Sequence, residues 1–194
     1  MKESLGIITI ILSVIGHTPY IVDTIRGKTK PHLFTWLTWS IIVTLAFFGQ
    51  WISGGGAGSW GTGVTGAIVI IIAILAFRKG TKDVTRLDKV FFIGSIISII
   101  PWYITKNPIF SIILVTLIDA LAFVPTIRKT INNPASETLF TYLLNILRHG
   151  LSLFALGRFN FTTALYPIYL LVMNLLMTII IYYPKIKKGY KNKS

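Results

Sequence analysis

Long apolar segments separated by short polar connections make up most of the chain. A helix needs about 20 apolar residues to cross a bilayer, with a lower limit near 17. Seven segments approach this length: 5–25, 33–52, 61–77, 88–105, 109–127, 138–156 and 164–183. Only the connection from Arg78 to Lys89 is densely charged. We therefore predict an all-α integral membrane protein with seven transmembrane helices.

The composition supports a bilayer as the solvent. Of the 194 residues, 53% are hydrophobic and 13% are charged, about half the charged share of a soluble domain. The chain has no cysteine, which excludes disulfides and thiolate metal sites. The three histidines, His17, His32 and His149, lack metal-ligand spacing. We expect no metal centre and no cofactor.

A basic hairpin occurs twice. It begins at Pro19 and again at Pro125, and in each copy an aromatic residue follows 17 positions later. At the common offset of 106, Gly27 corresponds to Asn133, and both residue types adopt positive φ easily. The offset predicts an internal repeat of three helices, and such a repeat constrains the fold more than a local motif does.

The basic residues are distributed asymmetrically between the two predicted sides of the membrane. With the N-terminus outside, 15 of the 19 Lys and Arg residues fall on the inner side. This bias follows the positive-inside rule and accounts for the net charge of +13 without a nucleic-acid partner. We expect a multi-pass protein of the cell membrane, with the N-terminus outside and the C-terminus in the cytoplasm.

The repeat and the charge pattern together predict the domain organisation. Residues 1–80 form the first three-helix repeat, 81–106 a linker helix, 107–184 the second repeat, and 185–194 a basic cytoplasmic tail. One linker helix between two units of three restores the chain direction, so the repeats are parallel. Transporters built from such repeats bind substrate near the midplane, at the repeat interface.

This three-plus-one-plus-three arrangement resembles the PQ-loop, SWEET and SemiSWEET superfamily and the bacterial PnuC-type vitamin transporters. The family's Pro-Gln pair corresponds here to Pro19-Tyr20 and Pro125-Thr126, so the glutamine is missing in both copies. The resemblance implies alternating access for a small polar solute, a sugar or a vitamin- or nucleoside-like molecule. It also implies a hinge role for Pro19 and Pro125. Segments 27–32 and 123–129 further resemble a bacterial family of unknown function.

Asp119 is the clearest candidate for function. It lies ten residues into the fifth predicted helix, about 15 Å deep, where an unpaired carboxylate costs several kcal/mol. Arg148 reaches a similar depth from the opposite side. The two residues could pair along a polar path or form a structural ion pair, and Asp119 could instead carry a proton; these interpretations remain open at this stage.

Polar residues follow one face of the sixth predicted helix. Their spacing is helical, and they are Thr141, Asn145, Arg148, His149 and Ser152. Such a stripe must face protein or water rather than lipid. Asn174 lies at matching depth on the seventh helix, where SWEET carriers place a substrate-binding asparagine; by this resemblance we expect Asn174 to contact the ligand. An interhelical hydrogen bond is the alternative for this residue.

The first repeat contributes mainly aromatic and small polar residues. Trp39 could stack against a flat ligand or anchor the helix at the interface, whereas we assign Trp36 to interfacial anchoring. His17 is either a packed histidine or a residue lining the path. The expected substrate-binding set is therefore Asn174, Asn145, Trp39, Arg148, His149, Asp119 and His17.

The sequence does not favour an enzyme, because Asp119 is the only deeply placed carboxylate and no Ser-His-acid set is apparent. Expected partners are a small-molecule substrate and the lipid bilayer. A receptor or scaffold built on the same bundle is the alternative to a transporter. The sequence leaves open whether the chain forms a homo-oligomer.

Overall fold

A computed structural model describes residues 1–27, 29–80, 84–132, 134 and 139–191, with side chains for all of these except 125, 126, 128, 129 and 183–191. Over the described residues, the regular elements are eight α-helices and one 3-10 turn at Gly56–Ser59. The helices are α1 Lys2–Ile25, α2 Leu33–Ile52, α3 Trp60–Lys79, α4 Arg86–Ile97, α5 Ile99–Thr105, α6 Ile109–Asn132, α7 Leu139–Ala155 and α8 Phe161–Lys191. The predicted all-α class is confirmed.

Five stretches within the described residues are long and apolar enough to cross a membrane. They are Lys2–Ile25, Leu33–Ile52, Gly56–Lys79, Arg86–Thr105 and Phe161–Tyr182. In α6 the apolar stretch is the shorter Ile109–Val124, and α7 has only 17 residues. The structure therefore supports a membrane-spanning helical protein, with five of the seven predicted spans long enough by this measure.

Exposed apolar side chains cover the outside of these helices, as expected for surfaces that face lipid. Ile74 of α3 is 59% exposed and Ile179 of α8 is 62% exposed. Inside the bundle, Ile42, Ile112 and Tyr166 pack together where α2, α6 and α8 meet. A second cluster, around Ile72, joins α2 to α3. This inside-out pattern suits a bilayer, where the helix exteriors need no polar cover.

The fourth predicted helix is interrupted. Residues 88–105 were predicted as one span, whereas α4 ends at Ile97 and α5 begins at Ile99. Pro101 explains the break, because it has no N–H to donate to the carbonyl of Ile97. The carbonyl of Ser98, at the junction, accepts a hydrogen bond from Ser111 Oγ of α6 at 2.5 Å.

For description, we divide the long helices into two groups, α1–α3 and α6–α8. In the first group, α3 packs against both α1 and α2, whereas α1 and α2 hardly contact each other. In the second group, α8 packs in the same way against α6 and α7. The two groups meet through α1 against α7 and through α2 against α6. α4 packs on α2 and α6, at the side of this junction.

Two loops are joined at one end of the bundle by what we call the loop clamp, formed by residues 53–56 and 157–160. Gly157 N donates to Gly55 O and Arg158 N donates to Gly54 O, both at 2.8 Å. Asn160 Nδ2 also donates to Ser53 O at 2.9 Å. The chain continues from the clamp as the 3-10 turn Gly56–Ser59, in which Ala57, Gly58 and Ser59 are buried, and α3 begins at Trp60.

The first basic hairpin has the predicted turn. Gly27 has φ +75° directly after α1, a conformation that glycine adopts without strain; Asn133, its counterpart, lies outside the described residues. Pro31 lies before the first turn of α2. That helix begins at Leu33, and His32 is its N-cap, with Nδ1 accepting a hydrogen bond from Thr35 N. α1 continues through Pro19 and α6 through Pro125 as unbroken helices. The basic tail from 185 is helical to Lys191, and residues 192–194 lie outside the described residues.

Candidate functional site

A cavity of about 130 Å³ lies where the two groups of helices meet. This volume holds several waters or a small organic ligand. Its lining includes five of the seven expected substrate-binding residues, namely His17, Trp39, Asp119, Arg148 and His149. Trp36, Val43, Thr62, Thr65, Val69, Phe123, Tyr166 and Leu170 complete the lining. The wall is therefore largely apolar and aromatic, with a few charged and polar groups.

Arg148 of α7 is 7% exposed and makes hydrogen bonds to neutral partners. One terminal nitrogen donates to Thr65 Oγ1 of α3 at 2.5 Å and to Ser13 Oγ of α1 at 3.2 Å. The other donates to His149 Nε2 at 2.9 Å. The buried Nε has no hydrogen-bond partner. The guanidinium thus holds α1, α3 and α7 together without a counter-charge in direct contact.

Asp119 of α6 lies on the same cavity but forms no salt bridge with Arg148, although the structure describes both residues. The Tyr166 hydroxyl donates to Asp119 Oδ2 at 3.3 Å, and Trp39 also interacts with this carboxylate. Tyr169 lies nearby, but its hydroxyl makes no hydrogen bond of normal geometry. Of the alternatives that the sequence left open, the direct ion pair is not seen in this structure, because Arg148 is held by α1 and α3 while Asp119 faces α2 and α8.

Aromatic side chains form one side of the cavity. The rings of Trp36 and Trp39 meet edge to face, with centroids 5.2 Å apart. Trp36 Nε1 donates to the Tyr20 hydroxyl at 3.1 Å, which fixes the indole. Trp36 is only 8% exposed, so it packs inside the bundle rather than anchoring at an interface as predicted. The sequence distance of Trp36 from the basic turn could not distinguish burial inside the bundle from a position at the membrane interface.

The two histidines beside Arg148 are tied to neighbouring groups. His149 Nε2 accepts from Arg148, which requires a neutral ring with its proton on Nδ1. His17 Nδ1 lies 2.8 Å from the carbonyl of Ser13, and a carbonyl can only accept, so this nitrogen is the donor. Both rings border the cavity, and a hydrogen bond fixes the orientation of each ring.

The two expected asparagine ligands do not border this cavity. Asn174 is buried, and its Nδ2 donates at 2.7 Å to the carbonyl of Leu170, one turn earlier in the same helix. Asn145 is half-buried. The α7 stripe turns inward at Arg148, His149 and Ser152, whereas Thr141 is exposed in the first turn.

Sequence inspection did not assign Tyr166 and Thr65 to the site. Both are buried and in direct contact with one of the two charged residues. One feature of the sequence could have indicated Thr65: it lies one helical turn after Gly61 on α3. A glycine at that position allows another helix, here α1, to approach closely. A Cβ at Gly61 would lie 2.7 Å from Thr9 Oγ1.

Comparison with known protein families, curated proteins and solved structures found no match to this chain. Within the described residues, no three His, Asp or Glu side chains are grouped as a metal site would require. The groups that line the cavity are one buried cation, one carboxylate, two imidazoles, hydroxyl groups and aromatic rings.

Proposed function

We propose that this chain is a multi-pass membrane transporter for a small polar solute, working by alternating access. The observation that carries the proposal is the cavity between the two groups of helices, with the buried side chains of Asp119 and Arg148 on its wall. Buried charges in membrane helices are costly and mark substrate or ion pathways. The expected substrate is a sugar or a vitamin- or nucleoside-like molecule, and the protein is not expected to be an enzyme.

The packing supports two parallel three-helix repeats. α6 begins 107 residues after α1 (109 − 2) and α7 begins 106 residues after α2 (139 − 33). In each group the third helix lies between the first and the second. If α1 corresponds to α6 and α2 to α7, the contact of α1 with α7 corresponds to the contact of α6 with α2. Both contacts are present, as two-fold pseudosymmetry requires. α4 and α5 would then act as the linker helix of a PQ-loop or SWEET-like architecture.

The proposed orientation places the loop clamp outside and the basic connections inside. Lys79 Nζ donates to the carbonyl of Ile25, so the ends of α1 and α3 meet away from the clamp. The first basic hairpin and Arg78 belong to that opposite end. Their charge favours a cytoplasmic position under the positive-inside rule. Pro19 and Pro125 remain hinge candidates within this scheme.

Cysteine accessibility tests the proposal without knowledge of the substrate, because the chain has no native cysteine. Val69→Cys places a thiol in the cavity wall. Ala73→Cys is the matched control, one turn further along α3, equally buried at 3% exposure but not on the cavity. Each variant is reconstituted in vesicles and treated with a membrane-impermeant maleimide from one side at a time.

Alternating access predicts that Val69→Cys is labelled from both sides, while Ala73→Cys resists labelling from either. A static receptor or scaffold predicts labelling of Val69→Cys from one side only, or from neither. Labelling of Val69→Cys from one side only, or from neither side, would contradict the transport mechanism. Labelling of the control at the rate of Val69→Cys would mean that the cavity wall is not distinct from the core.

A further inference from the structure

The two charged residues of the cavity lack the partners that buried charges normally have. Arg148 is 7% exposed and Asp119 is 4% exposed, and both side chains border the same space. Burying an ion without a counter-ion costs several kcal/mol. Since the two do not contact each other, each remains available to an opposite charge brought in by a ligand.

Arg148 offers a donor group for an anion. Guanidinium has five N–H donors and stays protonated in proteins. Its hydrogen bonds go to two hydroxyls and an imidazole nitrogen, while the buried Nε donates to nothing in the structure. None of these partners carries a negative charge. Carboxylates and phosphates are the anions whose geometry matches guanidinium donors, and a carboxylate is the smaller of the two.

Asp119 offers an acceptor group for a cation. An ionised carboxylate has about four acceptor sites, and the Tyr166 hydroxyl uses one of them through a long hydrogen bond of 3.3 Å. Trp39 lies beside the carboxylate as well as on the cavity wall. The indole of Trp39 and the Tyr166 hydroxyl leave part of the acceptor capacity of the carboxylate for a ligand, and an ammonium group is a cation that can donate up to three hydrogen bonds to it.

We infer that the cavity binds a small zwitterion with an apolar or flat body, its anionic group at Arg148 and its cationic group at Asp119. Trp36 and Phe123 would contact the body between the two charges. A neutral sugar or nucleoside would leave both ions buried without a counter-charge, so it is the less favoured ligand. This inference rests on the proposed transport function, and it replaces the sugar or nucleoside that the family resemblance implies with a zwitterion.

One scaffold in four charge states tests the inference by thermal stabilisation of the full chain, purified in detergent. The probes are phenylalanine (zwitterion), phenylalaninamide (cation), N-acetylphenylalanine (anion) and N-acetylphenylalaninamide (neutral), with uridine and glucose added as neutral polar molecules. We expect phenylalanine to bind at least tenfold more tightly than the neutral derivative, a difference of about 1.4 kcal/mol.

Charge-removing variants assign each ligand group to its residue. Asp119→Asn is expected to abolish the preference for phenylalanine over N-acetylphenylalanine, because the cationic group no longer has a partner. Arg148→Gln is expected to abolish the preference for phenylalanine over phenylalaninamide. Glu3→Gln and Arg78→Gln make the same charge changes at exposed positions and should retain both preferences.

Stabilisation by uridine or glucose with no effect of phenylalanine would overturn the inference, as would an equal response to all four charge states. So would a lack of stabilisation by every probe. If a variant yields no folded protein, the wild-type probe series decides alone. The two-sided labelling of Val69→Cys is independent of these results, so failure of the zwitterion leaves transport standing, and one-sided labelling rejects transport whatever binds.

Discussion

Arg148 shows at the residue scale how a single charge organises the site. One terminal nitrogen of its guanidinium donates to hydroxyls from two other helices, Ser13 on α1 and Thr65 on α3. These hydroxyls also donate to backbone carbonyls, Ser13 Oγ to Thr9 O and Thr65 Oγ1 to Gly61 O. The result is a connected polar network inside an apolar bundle, where each lost partner leaves a buried donor unsatisfied.

Thr65→Val tests this network, because valine keeps the shape of threonine and removes the hydroxyl. A hydrogen bond to a charged group contributes about 2 kcal/mol, and we expect a loss of that order in the free energy of unfolding. Thr18→Val is the control: its exposed hydroxyl donates only to the carbonyl of Val14, and the expected change is within about 0.5 kcal/mol. Mixed-micelle denaturation measures both, and equal effects would contradict a special role for Thr65.

The sequence pointed to Asp119 and Arg148 as charged groups inside apolar helices, but not to what they contact. Both side chains are buried within the bundle, whereas their depth in a membrane stays a prediction. Contacts depend also on the rotation of each helix about its axis, which neighbouring side chains set. The sequence therefore left open whether Asp119 and Arg148 pair, and the structure shows them apart; Trp36 was assigned to the interface although it is buried.

At the scale of single elements, the start of α8 illustrates how one residue serves two purposes. Asn160 Oδ1 accepts from Thr163 N and Thr163 Oγ1 accepts from Asn160 N, both at 3.0 Å, a reciprocal cap on the first turn. The same side chain donates through Nδ2 to Ser53 O in the loop clamp. Helix capping and loop attachment thus depend on the two ends of one amide.

Asn160→Asp and Asn160→Ala separate these two contributions. Aspartate keeps the cap acceptor and loses the donor to Ser53, so we expect a cost of about 1 kcal/mol. Alanine loses both, and the cap adds about 1 kcal/mol more. Thermal unfolding of the two variants beside the wild type gives the comparison, and alanine and aspartate variants of equal stability would contradict the capping role.

The apolar pattern predicted the helices well, with the start and end of α2 matching residues 33–52. Ends were missed where helices continue past the apolar part, as α8 does to Lys191, because hydropathy reports the lipid-facing portion alone. The apolar pattern also could not predict that the 3-10 turn Gly56–Ser59 is buried at Ala57, Gly58 and Ser59. Glycines there permit close contact with α7: a Cβ at Gly58 would lie 2.7 Å from Ser152 O.

For the whole molecule, the loop clamp connects the α2–α3 loop to the α7–α8 loop. It therefore links the two groups of helices at one end, while the opposite end has the basic connections. In the proposed mechanism, the cavity can open toward the clamp only if these loops separate. The structure with the clamp formed would correspond to a state closed on that side.

Weakening the clamp should change accessibility from one side alone. In the Val69→Cys background, Asn160→Ala removes the side-chain hydrogen bond of the clamp, so we expect faster maleimide labelling from the clamp side. The rate from the opposite side should stay unchanged. Ala73→Cys with Asn160→Ala reports general loosening, and an increase there equal to that of Val69→Cys would contradict a local gate.

The clamp has a consequence for how this protein could be tuned. Two of its bonds join main-chain atoms of Gly54, Gly55, Gly157 and Arg158, and no side-chain substitution deletes a main-chain donor or acceptor except a change to proline. A Cβ at Gly157 would lie 2.6 Å from Gly54 O, so enlarging that residue forces the loops apart. In the proposed mechanism, two kinds of substitution would therefore change how readily this end opens: a larger residue at Gly157, which separates the loops, and removal of the side-chain donor of Asn160.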